Sequence, residues 1–201
     1  MSTPAFTVID NHSVIVDLLR GGPILDAGAR GFVFAKWFAD RGHEVYALDP
    51  SPDIDYKTIP NGVKFIGKAL VGNAYPEAMS LEMGPDPNGW FMKCDGSFDS
   101  VPVKTIKMKD LPVKEWDLIK LNIEGSEYDI LDELEGPIAH QIVFSFHEHT
   151  QRARGQTECD RIISKLSKWY DVHNQVWEKR YGCSNPNYWD CVLVEKGLLH
   201  A

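Results

Sequence analysis

Ile24-Leu25-Asp26-Ala27-Gly28-Ala29-Arg30-Gly31 decides the fold. A short apolar run ends near an acid, a glycine-spaced turn follows, and the stretch 32–41 that comes next has helical patterning, with Gly42 placed to stop it. Strand, glycine turn and helix in that order open a βαβ unit. Outward from there, 43–49 reads as a second strand, closed by Pro50-Ser51-Pro52, and 63–70 as a third. The strongly apolar run 116–123 predicts a strand buried on both faces at the sheet centre, and 141–146 predicts another.

Helices are expected after Ser126, with Ile130, Leu131 and Leu134 at helical spacing and Gly136-Pro137 as the stop. Another is expected after Thr157, with Cys159, Ile162, Ile163, Leu166 and Tyr170 on one face. The segments 171–179 and 188–195 are expected as two strands, which the short connection 182–187 would let pair antiparallel, and 11–20 reads as a lead-in helix stopped by Gly21-Gly22-Pro23. The expected architecture is α/β: a central, mostly parallel sheet with an antiparallel last strand and helices on both faces. It is a single domain over 1–201, with a lead-in helix within 1–21 and an irregular insertion at 72–104. The Gly-, Pro- and Asn-rich part, 72–99, is either a loop or hairpin beside the site or a surface connection; 101–108 adds an extended segment.

Lys and Arg number 21 against 29 Asp and Glu, a formal charge of −8, which disfavours a nucleic-acid or membrane-surface partner. Arg152, Arg154, Arg161 and Lys165 fall close together and read as a solvated face before a basic patch. Cys94, Cys159, Cys183 and Cys191 form no C-x-x-C pair, and no apolar run is long enough to span a bilayer. A reducing cytoplasm with free thiols is the expected setting.

The turn differs from the dinucleotide pattern G-x-G-x-x-G in one telling place: Asp26 stands where the first glycine would be. A carboxylate there repels a diphosphate and suits a ligand bearing an ammonium or sulfonium charge, such as S-adenosylmethionine. Gly28 and Gly31 allow close backbone approach, and Asp49, 18 residues after Gly31, is placed to accept hydrogen bonds from ribose hydroxyls. The third strand should end near Ala69 and Leu70, placed to hold an adenine.

The run Trp116-Asp117-Leu118-Ile119-Lys120-Leu121-Asn122-Ile123-Glu124-Gly125-Ser126-Glu127-Tyr128-Asp129-Ile130-Leu131 strongly resembles the signature of FkbM-type methyltransferases. Asp26-Ala27-Gly28-Ala29 and Val45-Tyr46-Ala47-Leu48-Asp49-Pro50-Ser51-Pro52 resemble that family's first two motifs. The likeness covers about residues 22–150. It implies a Rossmann-like class I methyltransferase fold, S-adenosylmethionine as cofactor, and O-methylation of a hydroxyl on a sugar or other small metabolite. Asp26, Gly28, Ala29, Arg30, Gly31, Asp49, Pro50, Ser51, Ala69, Leu70 and Asn122 are then the cofactor candidates. The strand end Lys120-Asn122-Glu124 would border the methionine moiety and the acceptor. Arg30, Asp49 and Asn122 depart from the family's usual Asn, Glu and Asp; Asn122 keeps an acceptor oxygen without the charge.

Methyl transfer to a hydroxyl requires alignment, exclusion of water and removal of a proton. Glu124 follows one strand end, and His147, Glu148 and His149 follow another. His147 is the expected base, because imidazole titrates near neutrality, and Glu124 would orient the acceptor or a histidine. His147 and His149 would share one face and Glu148 the other. A metal could be held by the His-x-His pair with Glu124, but beyond the pair no third ligand is fixed by sequence, so no metal is assigned. Tyr188 and Trp189 either shield the pocket or pack in the core. Two other classes stay open: a non-catalytic S-adenosylmethionine-binding module and an NAD-dependent oxidoreductase. The expected partner is a small-molecule or glycan acceptor, with the oligomeric state open.

Overall fold

A computed structural model describes residues 5–83, 90–92, 100–147, 154–174 and 190–200. Thirteen strands and three α-helices are described among them. A hairpin, β1 (Thr7–Ile9) and β2 (His12–Val14), precedes β3 (Ile24–Ala27), α1 (Val33–Ala39), β4 (Val45–Leu48) and β5 (Val63–Ile66). Next come β6 (Ala69–Val71), β7 (Ala78–Met83), β8 (Trp90–Met92) and β9 (Ser100–Lys107). The chain continues through β10 (Trp116–Leu121), α2 (Glu127–Asp132), β11 (Ala139–Phe144), α3 (Gln156–Leu166), β12 (Tyr170–Asn174) and β13 (Cys191–Glu195).

The main sheet has seven strands in the order β12-β13-β11-β10-β3-β4-β5. Neighbours from β11 to β5 pair in parallel, and β13 runs antiparallel to both β11 and β12. The period of two sorts its side chains onto two faces. Leu25, Ala27, Leu48, Ile119, Leu121 and Phe144 join α2 and α3 in one core cluster. Ile24, Val45, Ala47, Leu118, Val143 and Val192 join α1 and the β1–β2 hairpin in the other. Apolar patterning on both sides of β3, β4 and β10 thus puts these strands at the centre, with their carboxyl ends side by side. Among the described residues no helix is long and apolar enough to cross a membrane.

Several sequence expectations are corrected. The helix expected over 11–20 is instead β2 followed by a single 3-10 turn at Val16–Leu18. Asp10 and Asn11 both adopt positive φ (48° and 64°), the conformation of a two-residue hairpin turn, and the β-branched run Val14-Ile15-Val16 disfavours a helix. Side chains from the sheet pin this hairpin: Asp190 accepts from the Ser13 amide at 2.8 Å, and Gln141 exchanges two hydrogen bonds with the Ile15 backbone. The strand expected over 63–70 breaks at Gly67-Lys68, so that β5 stays in the main sheet while β6 starts a four-stranded sheet, β6-β9-β7-β8. The stretch 72–104, expected to be irregular, supplies β7, β8 and the start of β9 to that sheet. It docks on α2, where Glu133 accepts from the Asn73 amide and Asp129 from the Tyr75 hydroxyl. Helix α3 starts one residue before Thr157, with Gly155 as its cap. Ser126 is the N-cap of α2, but its side chain makes no capping hydrogen bond.

The glycine turn is held by the sheet itself. Gly28 has φ 82°, and a Cβ built on it would lie 1.8 Å from the Asn122 carbonyl oxygen. The missing side chain therefore makes room for the end of β10. Gly31 has negative φ, and a Cβ there would meet only a Val33 methyl at 3.8 Å. Gly28→Ala is expected to destabilise the fold by about 2–4 kcal/mol, through left-handed strain and a backbone clash, and Gly31→Ala by under about 1 kcal/mol. Urea unfolding of the two variants checks the difference; equal midpoints would contradict it.

Candidate active site

A cavity of about 490 Å³ opens beyond the carboxyl ends of β3, β4 and β10, where open α/β sheets hold ligands. Of the residues picked out by sequence, Gly28, Arg30, Gly31, Asp49, Pro50 and Ser51 line it, as do Ala69, Leu70, Asn122 and Glu124. Ala29 is buried beneath the turn, and its amide and that of Gly28 both donate to the Leu48 carbonyl, at 3.1 and 2.8 Å. Neither amide is therefore free for a phosphate, although helix-start amides are the usual anchor for one.

Asp26 does not line the cavity. It is 1 % exposed, as is Lys120, and the two form an ion pair at 2.9 Å across the β3–β10 boundary. The other Asp26 oxygen accepts from the Ala35 amide at 3.0 Å, one of the donors that the first turn of α1 leaves open. Lys120 also donates to the Gly28 carbonyl at 2.9 Å. The acid that singled out this turn in the sequence therefore fixes the turn from behind. The acids facing the cavity are Asp10, Asp49 and Glu124; Arg30 and Lys68 are its cations. Arg30 reaches Asp53 at 2.5 Å.

Asp49 sits at the end of β4, buried, with one oxygen accepting from the Ser51 amide at 2.8 Å. Burial raises its carboxyl above the ordinary value, against the Ser51 hydrogen bonds and the charges of Lys120 and Arg30. Past the bend at Gly67-Lys68, β6 brings Ala69 and Leu70 to the same cavity, and β7 adds Leu81. A flat apolar ring thus has a surface to lie on beside Asp49.

At the other side lies a chain of three side chains. His147 is buried, with Nδ1 2.8 Å from Glu127 Oε1 and Nε2 3.5 Å from Glu124 Oε1. Glu127, at the first position of α2, also accepts from the Ile123 and Gly125 amides, both at 2.7 Å. It thereby folds the 123–125 turn back, with Glu124 at φ 52°, so that Glu124 meets the cavity, its side chain 22 % exposed. Burial alone would lower the His147 pKa, but the charge and hydrogen bond of Glu127, with the charge of Glu124, raise it to about 9. His147 is therefore an imidazolium at neutral pH, with each nitrogen facing a carboxylate.

Glu127 belongs to the motif run 116–131, but no role was expected of it. The signal was its place three residues after Glu124, at the start of a helix, where a carboxylate can reach back to turn amides. Six further residues line the cavity without having been expected there: Asp10 and Leu81 come from segments distant in sequence, and Val33, Lys68, Ile123 and Ser126 are close neighbours of expected residues. Glu148, His149, Tyr188, Trp189, Arg152, Cys94 and Cys183 lie outside the described residues. Cys159 and Cys191 are buried. Arg154, Arg161 and Lys165 pair with acids of α2 and α3, including Asp129, Asp132 and Glu158, which fits a solvated, charge-balanced face.

A group whose pKa is raised on folding stabilises the native state below its unfolded pKa and loses that contribution as pH rises through the folded value. The His147 ring is accordingly expected to titrate near pH 9 by NMR. Native stability should fall as pH rises through that window. Glu127→Gln should bring the titration down below about 7.5. A wild-type midpoint near 6.5 would contradict this arrangement.

No curated protein sequence matches the chain. A crystal structure from Anabaena variabilis ATCC 29413, described as a presumptive methyltransferase from an antibiotic biosynthesis pathway, aligns over 80 % of this chain with 14 % identity and a TM-score of 0.43. The chain spans 62 % of that protein's length. The family described as the methyltransferase FkbM domain matches residues 26–174. The chain belongs to this methyltransferase FkbM domain family.

Proposed function

We propose that the protein is an S-adenosylmethionine-dependent methyltransferase of the Rossmann-like class I type that methylates a hydroxyl on a sugar or other small metabolite. The observation that carries the reading is the charge and shape of the cavity. It combines three carboxylates and an apolar shelf with two cations, Lys68 and an Arg30 already paired with Asp53, while the Gly28 and Ala29 amides are engaged by Leu48. That set of groups fits a cationic nucleoside better than a dinucleotide, whose diphosphate would meet acids and occupied amides.

In this reading Asp49 accepts from the ribose hydroxyls, and Ala69, Leu70 and Leu81 hold the adenine. Gly28, Gly31 and Asn122 border the amino-acid end of the donor. Pro50 and Ser51 shape the turn that holds Asp49, while Ala29 and Arg30 support the glycine turn. Asp26 acts through Lys120 and α1 by holding that turn in place. When bound, the donor supplies a methyl group already activated by its sulfonium charge.

The protein's own contribution is alignment and handling of the acceptor's proton. Glu124 is the member of the Glu127–His147–Glu124 chain that faces the cavity, so it takes the hydrogen bond of the acceptor hydroxyl and then its proton. His147, protonated at neutral pH, keeps Glu124 ionised and oriented; Glu127 holds His147. The base expected at His147 thus moves to Glu124, with His147 as a positioning residue. Glu148 and His149 follow it in sequence and remain candidates for the acceptor side.

Isothermal calorimetry tests the cofactor assignment. S-adenosylhomocysteine should bind and NADH should not; heat with NADH and none with S-adenosylhomocysteine would overturn the reading. The acceptor is sought by following S-adenosylhomocysteine release across a panel of hydroxylated metabolites. With such an acceptor, His147→Ala should lower turnover about 10²-fold or more while leaving S-adenosylhomocysteine affinity within about twofold. Wild-type turnover should also fall above about pH 9, as the imidazolium is lost. Normal turnover in His147→Ala would remove His147 from the mechanism.

A further inference from the structure

The β1–β2 hairpin lies outside the segment matched by the family, which begins at residue 26, yet its tip reaches the cavity. The tip is Asp10-Asn11, and Asp10 lines the cavity together with Gly28, Asn122 and Glu124. Two further relations locate the hairpin. Asp10 lies within electrostatic reach of Lys120 and Asp26, the pair behind the glycine turn. His12, buried on β2, lies within reach of Lys120 and His147. The hairpin packs against β11 and β13 through β2 and against α1 through β1, and its tip joins Gly28, Asn122 and Glu124 in the cavity wall.

Its position is fixed. Ser13 is hydrogen-bonded to Asp190, through both its amide and its hydroxyl, and Ile15 is tied to Gln141. Ile9 and Val14 are buried in the same cluster as Phe34 of α1. A turn anchored this way fixes the backbone from which the Asp10 carboxylate projects, so binding need not order the hairpin. Among the described residues no hydrogen bond or ion pair engages the Asp10 carboxylate. Lys120, whose charge reaches Asp10, is already committed to Asp26 and the Gly28 carbonyl.

We infer that Asp10 is a donor-binding residue: its carboxylate holds the ammonium group at the amino-acid end of the methyl donor, so that the N-terminal hairpin completes the cofactor site. This rests on the S-adenosylmethionine reading given above. The chemistry is selective, because a carboxylate on this side of the cavity distinguishes a ligand with an amino-acid tail from one that ends at the thioether.

The test compares two probes on the full chain by calorimetry: S-adenosylhomocysteine, which carries the ammonium, and 5′-methylthioadenosine, which lacks the amino-acid tail. Asp10→Asn removes the charge and keeps a residue that suits a two-residue hairpin turn, so the hairpin should persist; an unchanged thermal midpoint confirms this. S-adenosylhomocysteine should bind Asp10→Asn about tenfold more weakly than wild type, with 5′-methylthioadenosine unchanged. Equal S-adenosylhomocysteine affinity in the two proteins would overturn the inference, as would equal weakening of both probes. If wild type binds neither probe, the cofactor reading itself fails, which separates the two claims.

Discussion

The buried ion pair between Asp26 and Lys120 is the constraint on which the rest of the site depends. Both side chains are 1 % exposed, and each has further hydrogen-bond partners, Asp26 on the Ala35 amide and Lys120 on the Gly28 carbonyl. Two charges in an apolar interior are tolerated only when paired and fully hydrogen-bonded, and removing one partner costs about 3–5 kcal/mol. Here the pair joins four elements: β3, β10, the start of α1 and the glycine turn. The turn cannot shift without disturbing it, and the cavity above the turn inherits that rigidity.

Polar side chains also set the other walls. Asp49 is tied to the Ser51 amide at the end of β4. Glu127 gathers the 123–125 turn and His147. Asp190 and Gln141 secure the hairpin whose tip reaches in from the N-terminal side. Each wall is thus a strand end whose backbone groups are satisfied by a buried carboxylate or amide from elsewhere in the fold. This is how a site built at loops gains the positional accuracy that alignment of reactants requires.

Much of this was legible in the sequence. The apolar runs of β3 and β10, the strand reading of β4 and the glycine turn pointed to the parallel centre of the sheet, and the lining residues from Gly28 to Ser51 follow from that pattern. What stayed hidden is physical in origin. A lysine inside an apolar strand does not announce which buried acid it will meet, so Asp26 was read as facing a ligand when it faces Lys120. The stretch 11–20, ahead of the Gly21-Gly22-Pro23 stop, was expected to be a helix, whereas the Asp10-Asn11 turn and the pairing of Ser13 with Asp190, far along the chain, make a hairpin. The bend at Gly67-Lys68 depends on β6 finding β9, a partner about 35 residues later. The His147 charge state follows from two glutamates brought together only by the fold.

The central claim is that this cavity holds a cationic nucleoside donor by its carboxylates. A crystal structure of the protein grown with S-adenosylhomocysteine tests it most directly. The account requires the ribose hydroxyls on Asp49, the adenine against Ala69 and Leu70, and the sulfur beside Asn122 and Glu124. A nucleoside lying the other way round, or bound away from these strand ends, would contradict it.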